Sequence, residues 1–330
     1  MNHIWLILTG ALLGASSAAS AGGSNYTVVP GSNPNFAGKV REWAVPTPEL
    51  AADPAPAPDG SIFVSVTYAN KIARFDPKAQ TFKEWDVPRG ARPRGLLVAN
   101  DGTVWYAGNG NGTIGHLDPV SGKVQEHETP SNGDPLVLIS DGVDTIWYTA
   151  EDRGRVGKLD MQTGKIVEYK VGGKPYGLAL DKRGNVWVCR TDAGKLGKID
   201  AKTGQTSEFN TGAGSAPRRM AAAPDGTLWI TLYGNGKLLH FDPASGKKVR
   251  DYDLPAGADG GPYAVTVDGA GVVWANEIQT DTVVRLDPAS GDMRVIQLPS
   301  ENAGIRKMIV DANGKLWYVG SENGRLGVIE

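Results

Sequence analysis

Three arginines and two tyrosines, Arg94, Tyr176, Arg218, Tyr263 and Arg306, occupy one recurring place in this 330-residue chain. Each stands eleven residues before an aromatic side chain, and the first four follow a proline directly. Two further copies of the place hold Ala52 and Leu136. Most repeated positions keep one residue type while this one varies, as expected of function laid on a shared frame. Guanidinium forks bind pairs of oxygens and phenol rings stack on flat groups, so the set suits an anionic or carbonyl-rich small molecule, or an acidic segment of a partner. Arg92, Arg219 and Lys307 adjoin it and add positive charge. Glu277, three residues after Trp274, and Glu322, five after Trp317, are expected at the same end as balancing carboxylates. Tyr263 and Glu277 are the candidates for acid–base work.

Several chemistries find no residues to support them. Beyond the N-terminal segment the histidines are His116, His127 and His240. His116 and His240 fall where other repeats have Arg74, Lys158, Lys198 and Arg285, a place expected to face solvent, and His127 falls on an outer strand. None is available at the recurring place as a base or metal ligand. The sequence carries no GxSxG, HExxH, phosphate-binding loop or paired CxxC motif. With 34 basic and 36 acidic residues the net charge is −2, which gives no electrostatic reason for nucleic acid or an anionic membrane as partner. The single cysteine, Cys189, excludes an internal disulfide and reads as a buried, inert thiol.

The aromatics that mark the recurring place are Phe63, Trp105, Trp147, Trp187, Trp229, Trp274 and Trp317, spaced 40 to 45 residues apart. Such a period indicates a repeat architecture, with the aromatics packed between neighbouring units. Each unit reads as four short strands. A run ends in a turn such as Asp101-Gly102, the aromatic strand follows, and then a strand such as 113–118. A hairpin of the form Asp-Pro-x-Ser-Gly (118–122, 242–246, 287–291) leads to the last strand. Seven four-stranded units describe an all-β, seven-bladed β-propeller with antiparallel blades. The seventh unit has three strands, and residues 39–46 match the missing fourth, so the N-terminal strand is expected to close the last blade and remove an open sheet edge. The first strand of each blade then lines a central channel with the recurring place at its mouth.

Residues 1–21 carry an apolar run ending in Ala19-Ser20-Ala21, the plan of a cleaved secretory signal. Residues 22–38, rich in Gly, Ser, Asn and Pro, read as a flexible leader, and 39–330 as one propeller domain. A periplasmic or secreted monomer without a lipid or membrane anchor is expected.

The repeat form resembles the streptogramin (virginiamycin B) lyase family and, in part, the NHL and SMP-30/gluconolactonase-like propellers. It is carried by Pro175-Tyr176-Gly177-Leu178, Gly184-Asn185-Val186-Trp187, the run 195–200 and Glu208-Phe209, and spans the whole chain after the expected signal, including the seven units and the N-terminal closing strand. The resemblance implies a metal-assisted lyase that opens a cyclic depsipeptide at its ester by elimination. It places the family's sixth-repeat histidine at Tyr263 and its seventh-repeat Glu-Pro-His at Gly304, Ile305 and Arg306. It implies Mg²⁺ as cofactor, with Glu322 matching the second metal carboxylate. Three functions stay open: a binding propeller, a lyase in which Tyr176 or Tyr263 is polarised by arginines with Glu277 or Glu322 as base, and a lactonase-like hydrolase hinted at by Asn276-Glu277. A tyrosine base requires a pKa well below about 10.

Overall fold

Alternating β-branched and aromatic runs, cut by turns that demand Gly or Asp, give twenty-eight strands in this computed structural model, which describes residues 39–330. The expected export signal and leader lie outside the described residues. The strands form seven four-stranded antiparallel sheets. Blades one to six span residues 51–86, 93–128, 135–170, 175–210, 217–253 and 262–297. Blade seven joins Ile305–Val310, Leu316–Gly320 and Arg325–Ile329 to the N-terminal strand Val40–Ala44. That strand pairs antiparallel with Arg325–Ile329, from Val40 opposite Ile329 to Ala44 opposite Arg325. The first strands of successive blades touch one another around the ring, blade seven touching blade one.

In blades two to six the hairpin after the third strand turns on one aspartate. In blade three Asp160 Oδ1 accepts the N–H groups of Gln162 and Thr163 at 3.0 and 2.8 Å, and Gly164, at φ +71°, returns its N–H to the Asp160 carbonyl at 2.8 Å. Glycine takes that left-handed backbone without a Cβ clash.

Each aromatic packs onto the next blade. Phe63 meets Leu96 and Tyr106, Trp105 meets Leu138 and Ile146, and Trp147 meets Tyr176 and Val188. Trp187 meets Met220 and Ile230, Trp229 meets Val265 and Ala275, Trp274 meets Ile305 and Met308, and Trp317 meets Ala51 and Val64. The core is therefore seven clusters between blades, and losing one such side chain to Ala costs about 3–5 kcal/mol. The third-strand residues expected in solvent instead cover these rings. His240 stacks on Trp229 at 4.3 Å, His116 meets Trp105 edge-on at 4.5 Å, and Lys158, Lys198 and Arg285 lie over Trp147, Trp187 and Trp274. Burial holds both imidazoles below the usual histidine range, which keeps them neutral covers.

Blades two, three and seven share a lock across three strands. Tyr106, Tyr148 and Tyr318 donate their hydroxyls to Glu126, Glu168 and Glu42 at 2.9, 2.8 and 2.6 Å. The rings cross Gly115, Gly157 and Gly327, where a Cβ would come within 2.2, 2.0 and 2.0 Å of the phenol carbon Cζ. Glu42 belongs to the N-terminal strand, so the same lock fastens the closure of the ring.

On the loops of blade three, Asp134 and Asp152 each accept the other's backbone N–H, at 2.9 and 3.0 Å. Burial and the facing Asp152 push Asp134 up to about 6. The folded state therefore favours the protonated pair, a contribution present at low pH and lost as pH rises through about 6.

Removing residues 39–46 is expected to unfold or aggregate the protein, and an unchanged melting temperature in the truncated chain would contradict the closure. Gly157→Ala should cost about 1–3 kcal/mol by pushing Tyr148 off its glutamate. Combined with Tyr148→Ala, it should add little in denaturant titrations, whereas additive costs would exclude the lock. Between pH 5 and pH 7 the melting temperature of the parent should fall relative to that of Asp134→Asn, and parallel curves would count against the shared proton.

Candidate functional site at the channel mouth

Every first strand slips register against its neighbour at one place: between Ala51 and Pro54, Pro93 and Leu96, Pro135 and Leu138, and likewise in the other four blades. Two residues there face one across the sheet, a bulge that re-aims side chains and frees a backbone N–H. The freed N–H finds the side chain opposite. Asp53 donates to Ser65 Oγ at 3.1 Å, Val137 to Thr149 Oγ1 at 3.3 Å, Arg219 to Thr231 Oγ1 at 3.0 Å, and Ala264 to Asn276 Oδ1 at 2.6 Å. In blade four the opposing residue is Cys189, its thiol against the Gly177 N–H, and burial pushes that thiol far above the ordinary range.

The first bulge residues are Ala52, Arg94, Leu136, Tyr176, Arg218, Tyr263 and Arg306, the recurring place of the sequence. The structure joins four of the five predicted site residues in one cluster. Tyr176 and Tyr263 share a hydrogen bond between their hydroxyls, rings edge-on with centroids 5.9 Å apart. Arg218 lies between them, its guanidinium carbon 4.8 Å from each ring and 5.3 Å from Tyr233. Arg306 sits 5.6 Å from the Tyr263 ring and donates to Glu322 Oε1 at 3.0 Å. Arg94 stays half-buried at the edge, close enough for its charge to act on Tyr176.

The tyrosines are not the walls of an open concavity, which the sequence leads one to expect. They are 4% and 3% exposed and form a crossbar joined to the apolar cluster of Leu136, Leu178 and Ile278. Glu277 does not balance the mouth either. It is fully buried, accepting from the Ala256 N–H at 2.7 Å and the Thr282 hydroxyl at 3.3 Å, and burial raises its pKa. Asn276, fully enclosed, spends its amide on the Ala264 N–H and the Ile305 carbonyl, which leaves no donors for the metal that the lactonase-like reading needs.

The second bulge residues add a group that counting eleven residues misses. Asp53, 4% exposed, receives Arg219 at 3.4 Å and Lys307 at 3.8 Å. Counting ten residues before Phe63 finds it. In blades two and four this place is glycine because a Cβ at Gly95 or Gly177 would stand 2.6 Å from a carbonyl oxygen of the next blade.

Five cations, Arg94, Arg218, Arg219, Arg306 and Lys307, therefore share two carboxylates, Asp53 and Glu322. Arg218 has no carboxylate partner among the described ion pairs, and its Nε has no acceptor. The excess acts on the tyrosines. Burial opposes ionisation of Tyr263, but Arg218, Arg306 and Arg219 outweigh it and hold the hydroxyl below the usual tyrosine range. Burial and the facing Tyr263 push Tyr176 up.

Mg²⁺ does not fit here. Glu322 is committed to Arg306, Gly304 offers no carboxylate, and among the described residues no group of three or more His, Cys, Asp or Glu side chains could hold a metal ion.

The family model for the virginiamycin B lyase family matches residues 33–170 and 80–330. No curated protein matches the chain. Among solved structures, a streptogramin B lyase is 24% identical with a TM-score of 0.80, covering 89% of this chain and 97% of its own. The virginiamycin B lyase of Staphylococcus aureus is 20% identical at 0.80, covering 88% and 99%. A catalytically inactive histidine-to-alanine form of that lyase, with quinupristin, is also 20% identical, at 0.79 and with the same coverage. At these identities the structures speak for the fold alone. With its family match and seven closed blades, the chain belongs to the virginiamycin B lyase family.

Proposed function

We propose that this protein is an exported binding member of its family, which holds an anionic or carbonyl-rich small molecule at the mouth through Arg94, Arg218 and Arg306. The observation that carries this is Arg218: a half-buried guanidinium resting on three tyrosine rings, with no carboxylate. An unpaired charge removed from water is costly. Aromatic faces offset part of the cost, and a bound anion would offset the rest through charge-assisted hydrogen bonds. The acidic segment of a partner protein is the larger ligand with the same chemistry. Tyr263, Gly304 and Arg306 stand where the family resemblance expects two histidines and a carboxylate, which supports binding over the family's elimination chemistry.

One observation favours a second reading. Tyr263, held below the ordinary range among three arginines, is the group here suited to abstract a proton, and Tyr176 is placed to return one. The solved relatives are named as lyases of streptogramin B and virginiamycin B, and a ring-opening elimination on a related cyclic ester would use this pair.

Arg218→Ala should weaken binding of carboxylate probes at least tenfold, the loss of one charge-assisted hydrogen bond, and the triple change with Arg94→Ala and Arg306→Ala should abolish it. Unchanged affinity in the triple variant would sink the proposal. Mass spectrometry of a type B streptogramin incubated with the protein, with and without Mg²⁺, separates the two readings. An intact ring is expected, whereas a linear product lost in Tyr263→Phe would establish the lyase.

A further inference from the structure

Beneath the tyrosine crossbar the channel changes character. The Arg219 guanidinium lies 5.3 Å under the Tyr176 ring and separates the mouth from a cavity of about 180 Å³ farther along the first strands. The cavity walls are apolar, with Val137, Leu178, Met220, Ala264 and Met308 among them, and Arg219 and Lys307 stand at its inner end. Half-exposed Ile139, Ala221 and Thr266 stand at the other end, so the cavity opens away from the mouth.

The two cations there meet one carboxylate, Asp53, at 3.4 and 3.8 Å. Arg219 is 8% exposed and its Nε has no acceptor. The Lys307 ammonium donates to the Leu96 carbonyl at 2.9 Å. Burial holds Lys307 below the usual lysine range against the pull of Asp53, with a smaller contribution from the charge of Arg219.

A guanidinium whose Nε has no acceptor and a second cation beside an apolar cavity match one class of molecule: an anionic head on a short hydrocarbon chain. We propose that this cavity is a second ligand site, which binds a short-chain aliphatic carboxylate with its head on Arg219 and Lys307 and its chain along Met220, Ala264 and Met308. The site shares the cations Arg219 and Lys307 with the charge balance of the mouth, but its apolar walls lie on the other side of Arg219.

Isothermal titration with acetate, butanoate, hexanoate and chloride tests it on the purified protein. Affinity should rise roughly threefold to fourfold for each added methylene until the chain fills the cavity. Lys307→Met should weaken hexanoate at least tenfold. Ala221→Leu, which leaves both cations in place and narrows the outer end, should weaken hexanoate while sparing acetate. The same titrations on the Arg94→Ala, Arg218→Ala, Arg306→Ala protein, whose mouth should no longer take carboxylates, should keep the chain-length dependence and the loss in Lys307→Met, which separates this site from the mouth. In that background, chloride or acetate binding as tightly as hexanoate, no binding of any of the four, or hexanoate affinity undiminished by Lys307→Met would each overturn the proposal.

Discussion

Two residues facing one at the start of each first strand leave a backbone N–H with no partner in the ladder, and a buried donor left unmade costs about 1–3 kcal/mol. Ser65, Thr149, Thr231 and Asn276 take up that donor. The same rim ties neighbouring blades together. Thr231 donates onward to the Tyr263 carbonyl at 2.8 Å and Asn276 to the Ile305 carbonyl at 3.0 Å, while Thr67 and Thr191 reach the carbonyls of Pro93 and Pro217. The bulge thus re-aims the residues that build the mouth and, through these bonds, fixes the spacing between neighbouring blades. Without it, the two consecutive residues of each bulge would simply point to opposite faces of their strand.

What stands on those positions is an imbalance of charge in a half-dry space. Tyr176, Tyr233 and Tyr263 hold Arg218 by their ring faces and supply no full negative charge. Asp53 and Glu322 answer the other cations in part. The surplus draws Tyr263 toward ionisation, and burial holds Lys307 down; the anions proposed for the mouth and the cavity would offset that surplus.

The architecture was legible because it repeats. Seven aromatics at a near-constant spacing, the recurring Asp-led hairpins and a displaced fourth strand at residues 39–46 report the same local rules applied blade after blade. The members of the mouth were legible for the same reason, since a fixed count back from each aromatic found Arg94, Tyr176, Arg218, Tyr263 and Arg306. Their mutual geometry was not. Tyr176 and Tyr263 belong to blades four and six, and only the curvature of the ring brings their hydroxyls together across Arg218. Burial of the pair depends on that contact too, so a count along the sequence reads an open mouth where the fold builds a crossbar. Tyr233 left a faint signal: it stands four residues after Trp229, where other repeats have Thr67, Asn109 and Thr191. Glu277 misled because its place near the mouth end was readable while the loop that encloses it was not.

An ultraviolet pH titration of tyrosinate absorbance, on the parent and on Arg218→Leu, asks whether uncompensated cations govern the mouth in solution. One tyrosine should ionise ahead of the others in the parent, below the ordinary value of about 10, and return to the ordinary range or above when Arg218 is gone. A parent whose tyrosines all titrate together at or above that value, indifferent to the loss of Arg218, would mean that the mouth is electrically balanced and that the anion site read from it does not exist.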